Sequence, residues 1–212
     1  MVISYEGVEF FRVQYGDVVI AFNPISKNSK FKGRRFGADI ALVTTNHQDF
    51  NGIDSVTLGD KKPFAVTGPG EYEYKGVSVQ GLPSESKYGG EAHINTVYLV
   101  SLEDINLCFL GALSKKELPK ELTEAIDEVD ILFVPIGGDR VLGAAESYEL
   151  AVSLEPKLII PMHFGEVGVK NALSVFLKEG GDEKTEKLDK LTIKKKDIEG
   201  KEGDIAVLVP AS

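Results

Sequence analysis

Three histidines, one cysteine and one run of basic residues are the places where this sequence could do chemistry. His47, His93 and His163 are the whole imidazole complement. Imidazole is both a common metal ligand and a proton-transfer group near neutral pH, but three of them cannot furnish a histidine-rich site for two metal ions. Cys108 stands alone, which excludes an intrachain disulfide and a cysteine zinc cage. It lies in the apolar stretch 105–111, where a thiol reads as a small core residue and not as a nucleophile. Lys27, Lys30, Lys32, Arg34 and Arg35 form a local positive run with Phe31 and Phe36 interleaved. That composition attracts a phosphate or a nucleic-acid backbone, although a solvated loop carries the same residues. Gly68-Pro69-Gly70 and Gly137-Gly138 read as turns. Glycines cradle a phosphate in a strand-to-helix setting, which of the two only Gly137-Gly138 approaches.

These residues must be positioned by elements built from the rest of the chain. Its 212 residues are 42% hydrophobic and 27% charged, an ordinary globular composition at the length of one domain, residues 1–212. The net charge of −9 repels nucleic acid and anionic membrane at long range, which argues against a generic role there. Met1-Val2-Ile3-Ser4-Tyr5-Glu6 lacks the basic region and apolar core of a signal peptide, and no apolar run reaches a membrane span. The expected address is the cytoplasm. The first half reads as strands at 2–5, 8–15 and 17–22, with Tyr15-Gly16-Asp17 as a tight turn. Residues 38–45 form a nearly continuous apolar run, as in a strand covered on both faces. Further strands are predicted at 64–67, 76–80, 95–101 and 105–111. The second half changes period. Leu118, Leu122, Ala125, Ile126 and Val129 have helical spacing, and helices are predicted at 118–129, 144–154 and 169–178, alternating with strands at 130–136 and 157–162. Strands at 190–194 and 204–209 finish the chain, and 179–190 reads as a charged surface loop. A strand-rich half followed by alternating helix and strand suits two sheets packed face to face with helices outside.

Four segments carry a more specific signal. The first is Ile3-Ser4-Tyr5-Glu6-Gly7-Val8-Glu9-Phe10-Phe11. The second is Ala38-Asp39-Ile40-Ala41-Leu42-Val43-Thr44-Thr45-Asn46-His47-Gln48-Asp49-Phe50-Asn51-Gly52. The third is Gly68-Pro69-Gly70-Glu71-Tyr72-Glu73, followed much later by Asn95-Thr96-Val97-Tyr98 and Phe109-Leu110-Gly111-Ala112. The fourth runs from Val129-Asp130-Ile131-Leu132-Phe133-Val134-Pro135-Ile136-Gly137-Gly138 to Glu155-Pro156-Lys157-Leu158-Ile159-Ile160-Pro161-Met162-His163. In this order they resemble the metallo-β-lactamase superfamily, and within it the UlaG-like branch of small bacterial Zn-dependent hydrolases. The resemblance implies an α+β fold, a four-layer αββα sandwich of two mixed sheets.

It also implies a metal site and the residues that stand at its positions. In the family, one zinc is held by the two histidines of a His-x-His motif and a later histidine. The second is held by the Asp-His that follows and by the final histidine, and an aspartate bridges the two ions. Here His47 matches the second histidine, Asp49 the aspartate and His163 the final histidine. Thr45 stands at the first histidine, Phe50 at the one after Asp49, and Ala112 at the bridging aspartate. The later histidine falls near residues 84–86, which hold none. Val8 stands at an early histidine, and Asn23-Pro24 where the family often has Asp-Pro. Threonine is a weak neutral ligand and Phe and Ala are none, so neither half keeps the three donors that catalytic zinc needs. A hydroxide held between two cations is not expected. His47, Asp49 and His163 remain as a two-histidine, one-carboxylate set of the kind that holds a single Zn, Fe(II) or Mn ion, with Asp49 as candidate catalytic residue. The expectation is therefore no cofactor, or one Zn or other divalent ion.

Three functional readings follow. The chain is a degenerate, non-catalytic or weakly active relative whose cleft binds a small molecule or a protein; or a mononuclear metal-dependent hydrolase; or an interaction scaffold. Fold alone does not choose among them. The structural alternative for His47, Asp49 and His163 is that polar side chains at strand ends satisfy their neighbours. His93, in 87–94, matches no ligand position and reads as a solvated loop residue. In the family's fold the loop carrying residues 27–35 borders the cleft, which makes an anionic ligand there a candidate partner. His47, Asp49 and His163 are expected to converge at one end of the sandwich, with Thr45, Phe50 and Ala112 filling space where ligands normally sit.

Overall fold

The computed structural model describes residues 1–211. In chain order the strands are β1 (Val2–Gly7), β2 (Phe10–Tyr15), β3 (Val18–Phe22), β4 (Ile40–Leu42), β5 (Phe64–Val66), β6 (Gly70–Tyr74), β7 (Val77–Ser86) and β8 (His93–Leu102). They continue with β9 (Ile105–Phe109), β10 (Ile131–Pro135), β11 (Leu158–Met162), β12 (Lys187–Leu188), β13 (Leu191–Thr192), β14 (Asp204–Ile205) and β15 (Val207–Leu208). The α-helices are α1 (Lys120–Ala125), α2 (Ala144–Ser153) and α3 (Ala172–Glu179). One sheet has the order β13-β1-β2-β3-β4-β5, the other β14-β11-β10-β9-β8-β7-β6, and β12 pairs with β15. Both large sheets are mixed. The first is antiparallel through β13, β1, β2 and β3 and parallel through β3, β4 and β5. The second is antiparallel from β6 to β9 and parallel from β9 through β10 and β11 to β14.

Successive side chains on a strand face opposite sides of the sheet, and the first sheet uses both. Tyr5, Phe11, Ile20, Phe22, Ile40 and Leu42 face the second sheet. Phe10, Val19, Ala21 and Ala41, one residue out of phase, face outward. Between the sheets four phenylalanines interlock: Phe22 stacks on Phe109 at 4.7 Å, and Phe11 meets Phe133 edge-on at 4.9 Å. Each such buried ring contributes roughly 1.5–3 kcal/mol of hydrophobic stabilisation, and a well-placed aromatic pair about 0.5–1.5 kcal/mol more. On the outer side of the second sheet α2 packs against β10 and α3, with Tyr148 edge-on to Phe176 at 5.7 Å. The outer face of the first sheet is covered by Ile25, Phe31, Phe36 and Phe50 and by a 3-10 turn, Ile53–Val56. None of the side chains in that cover comes from an α-helix.

The helices are shorter than their hydrophobic period predicts. α1 starts only after Pro119 and ends where Ile126 turns extended, and it buries Leu122 alone. α3 begins at Ala172, after a turn in which the Ala172 amide donates to the Val169 carbonyl at 3.1 Å and Asn171 takes the cap position. β6 was not foreseen. Its Gly-Glu-Tyr-Glu-Tyr sequence lies largely exposed at a sheet edge, where no buried face imposes an apolar alternation. His93 is not a loop residue: it opens β8, half-buried opposite Ser86.

Two buried aspartates fasten the sheets at the ends where β4 and β10 begin. Asp39 accepts the Val19 amide at 2.9 Å and the ammonium groups of Lys75 at 2.7 Å and Lys61 at 2.9 Å. Burial alone would raise its carboxyl, but these donors outweigh it and hold the pKa at about 2. Asp130 repeats the arrangement with the Asn106 amide at 2.8 Å and Lys157 and Lys195 at 2.7 Å each. There too the two lysines outweigh burial and keep the carboxyl below the usual range.

Candidate functional site

The opposite ends of the same strands carry the residues singled out for chemistry. β4 runs through Val43 into Thr44 and Thr45 and then into the loop bearing His47, Asp49 and Phe50. β10 runs into Ile136 and Gly137, and β11 into His163. His163 has a positive φ of 63°, a conformation that costs a non-glycine residue energy unless its surroundings fix it. They do: its amide donates to the Val8 carbonyl at 2.7 Å. Gly137 makes room for it, since a Cβ there would lie 2.4 Å from the His163 carbonyl oxygen and 2.5 Å from its ring. That close approach, not a phosphate cradle, accounts for the first glycine of Gly137-Gly138.

The structure brings His47, Asp49 and His163 to one end of the sandwich, around a residue the sequence did not mark. The Tyr88 hydroxyl donates to Asp49 Oδ2 at 2.8 Å. Its ring is edge-on to His47 at 4.9 Å and to His163 at 5.2 Å, and Phe50 lies 4.8 Å away. Burial, with the adjacent Asp49 carboxylate, pushes the phenol well above its ordinary pKa, so it remains a donor. The other Asp49 oxygen accepts from Ser29 Oγ at 2.5 Å. His47 Nδ1 faces the Asp49 amide at 3.2 Å and Asp49 Oδ2 at 3.5 Å. His163 is buried, and its Nδ1 lies 2.7 Å from Glu9 Oε1. The other Glu9 oxygen accepts from Asn23 Nδ2 at 2.9 Å, and Asn23 is tied in turn to Thr44 through both its side-chain oxygen and its amide nitrogen.

A second network occupies the remaining ligand positions. Asn95 Nδ2 donates to Ser84 Oγ and to the Leu110 carbonyl, each at 2.8 Å. Its Oδ1 accepts the Ala112 amide at 3.1 Å and the Thr45 hydroxyl at 3.3 Å. Thr45, residues 84–86 and Ala112 are the places where the family resemblance puts the first histidine, the later histidine and the bridging aspartate. One buried side-chain amide joins all three. Glu9, Tyr88, Ser29 and Asn95 are the residues that sequence reasoning missed. Glu9 lies in the turn between β1 and β2, just before Phe10-Phe11, and like the others carries no signal in its spacing.

The residues present do not fit a metal centre. Asp49 has both oxygens engaged by hydroxyl donors. A phenol ring contacts both imidazoles where a cation would need open space. Among the described residues, no three His, Cys, Asp or Glu side chains are grouped so as to hold an ion. The remaining sequence features have structural occupations. Burial pushes the Cys108 thiol up to about 12, which leaves it inert near neutrality. The basic run divides: Arg34 makes a two-nitrogen contact with buried Glu6, at 3.0 and 3.3 Å. Lys27 approaches Asp54 at 3.9 Å, and Arg35 reaches the Asp54 carbonyl. Phe31 and Phe36 are packed against the first sheet. Lys30 alone of the five borders the cleft, which has a volume of about 540 Å³ and is also lined by His47, Gln48, Asp49, Tyr88 and Arg140.

Two mixed sheets packed face to face, with the site residues at their common end, define the metallo-β-lactamase α+β sandwich. The beta-lactamase superfamily domain matches residues 2–163, and the chain belongs to that family. A metal-dependent hydrolase of Lysinibacillus sphaericus is 25% identical over 195 residues, covering 77% of this chain and 85% of the relative. One from Carboxydothermus hydrogenoformans is 25% identical over 193 residues, covering 77% and 84%. Among solved structures, a Thermotoga maritima protein of the metallo-beta-lactamase superfamily superposes with a TM-score of 0.77 at 25% identity, over 98% of this chain and 99% of that one. Among the described residues, no helix is long and apolar enough to cross a membrane.

Proposed function

We propose that this chain is a metal-independent member of the metal-dependent hydrolase family, of the UlaG-like branch, whose cleft binds a small ligand carrying an anionic group. The observation that carries the reading is the engagement of both Asp49 carboxylate oxygens by the hydroxyls of Ser29 and Tyr88. A carboxylate that would have to face a cation instead faces protein donors. Thr45, Phe50 and Ala112 add no strong ligand at the neighbouring positions. The ligand class is supported by the cleft above them, whose volume of about 540 Å³ falls in the range of small-molecule sites. Lys30 and Arg140 supply cationic groups, while Asn28, Gln48 and His47 supply polar ones. Two carboxylates, Asp49 and Asp139, also line the cleft, and Asp49 is already engaged by Ser29 and Tyr88. Elemental analysis of protein grown with zinc and purified without chelators tests the reading. Well under one metal per chain is expected; two zinc ions would refute it. One ion lost on His163→Ala would give first place to a mononuclear hydrolase. Thermal stabilisation by inorganic phosphate, abolished by Lys30→Glu with Arg140→Glu, is the expected ligand signature.

A further inference from the structure

We propose that the ligand of the cleft is a small zwitterion, whose anionic group meets Arg140 and whose ammonium group meets Asp139. The inference rests on the anionic-ligand reading of the cleft and deepens it by naming the second charge. The charges lining the cleft balance: Lys30 and Arg140 are cationic, Asp49 and Asp139 anionic. Asp49 is buried and held by Ser29 and Tyr88, whereas Asp139 and Arg140 are exposed. Among the described residues, no ion pair or side-chain hydrogen bond engages either of these two, with each other or with any other group. A ligand carrying only an anionic group would sit beside the unanswered Asp139 carboxylate, at a repulsive cost. One that also carries an ammonium answers both charges.

The backbone sets this pair apart from incidental surface charges. Gly138, Asp139 and Arg140 follow one another in the left-handed region, with φ of 62°, 46° and 81°. Glycine enters that region freely, but an aspartate and an arginine in succession do so at a cost unless their surroundings hold them. Here they are held. The Arg140 carbonyl accepts from the Ser114 hydroxyl, whose oxygen in turn accepts the Lys87 amide at 2.7 Å. The Gly138 amide donates to the Leu142 carbonyl, and the Leu142 amide to the Leu113 carbonyl, each at 2.9 Å. The Arg140 guanidinium rests against Gly90, where a Cβ would collide with Nη1. The fastened turn thus delivers two adjacent, opposite charges to one cleft. The planar fork of arginine suits two-point contact with a phosphonate or carboxylate.

Calorimetry on the full chain compares ethylphosphonate and propylphosphonate with their ω-amino derivatives, pairs that differ in the ammonium alone. At least one amino compound is expected to bind about fivefold more tightly than its alkyl counterpart, the yield of one partly exposed ion pair. Asp139→Asn, a side chain that tolerates positive φ, is expected to erase that difference and to leave the alkylphosphonate bound as tightly as before or more so. Should Asp139→Asn melt early, Asp139→Gly carries the same expectation. Arg140→Gln is expected to weaken both members of a pair alike. Equal affinities within each pair for wild type overturn the proposal, as does an ammonium preference that survives Asp139→Asn. In either case, alkylphosphonate binding that is lost on Arg140→Gln leaves the anionic-ligand reading standing. If no phosphonate binds, that reading falls and the zwitterion with it.

Discussion

Replacing Asn95 with alanine removes four hydrogen bonds at once, and their partners do not suffer equally. Ser84 and Thr45 each retain a second acceptor, the carbonyls of Asn95 and Ile94. The Leu110 carbonyl loses its side-chain partner, and the buried Ala112 amide is left without one. A buried backbone group stripped of its partner costs about 1–3 kcal/mol, and the two hydroxyl contacts add about 0.5–1 kcal/mol each. The expected loss is about 2–5 kcal/mol, which for a domain of this size lowers Tm by roughly 4–20 °C. Thermal unfolding followed by circular dichroism measures it, with Ser101→Ala as the control. That hydroxyl makes one exposed bond to Asn106, and its removal is expected to cost under about 0.5 kcal/mol. Asn95→Asp sharpens the test: the shape stays, but a donor becomes an acceptor facing the Leu110 carbonyl, so the loss should equal or exceed that of alanine. If Asn95→Ala melts within about 2 °C of Ser101→Ala, the amide is not what holds these positions together.

Gly137→Ala is expected to destabilise by about 1–3 kcal/mol, because the atoms it meets belong to His163, whose backbone is anchored to Val8. Gly68→Ala, whose added methyl meets nothing within 4 Å, should melt like wild type; equal melting of both variants would refute the close-packing argument. Asp39 predicts an acid limb. Its folded pKa of about 2 lies below the unfolded value near 3.9, so the unfolded chain binds more protons between them. The stability is present above about pH 4 and is lost as pH falls toward 2. Because Lys61 and Lys75 are half-exposed, screening reduces the linkage to about 1–2 kcal/mol. Urea unfolding across pH 2–6 should show a flatter acid slope in Asp39→Asn, and an unchanged slope would sink the assignment.

Much of the architecture was legible because burial writes a period into the chain. Phe10 and Phe11, Ala21 and Phe22, Ala41 and Leu42 alternate between two covered faces, so each strand reads as apolar throughout. His163 was legible because it ends such a strand. β6 was not, since an exposed edge leaves glutamate and tyrosine free to alternate, and the helix limits were blurred where a turn at 169–172 and Pro119 stand in place of the first helical residues. The three residues carried over from the family do gather at one place. What lies among them was hidden: Glu9 and His163 are 154 positions apart, Tyr88 sits in a glycine loop, and Asn95 looks like any polar residue entering a strand. Their roles come from which strand ends the fold brings together, and no local spacing records that.

The aspartate–lysine clips bear on how such a site could have changed over time. Asp39 and Asp130 lie where β4 and β10 begin, and Thr45, His47, Gly137 and His163 lie beyond the ends of β4, β10 and β11. Groups that fasten the sheets are thus a full strand length away from groups that face a ligand. A lineage losing an imidazole at the ligand end would keep its fastenings intact, and its folded population would fall only by the local cost of that one replacement. Successive losses could then be tolerated while side-chain amides and carboxylates took over the vacated positions one at a time. In that sense the spatial division between fastening and ligand-facing ends gives this scaffold room for neutral drift, and Asn95 and Glu9 are where such drift would leave its record.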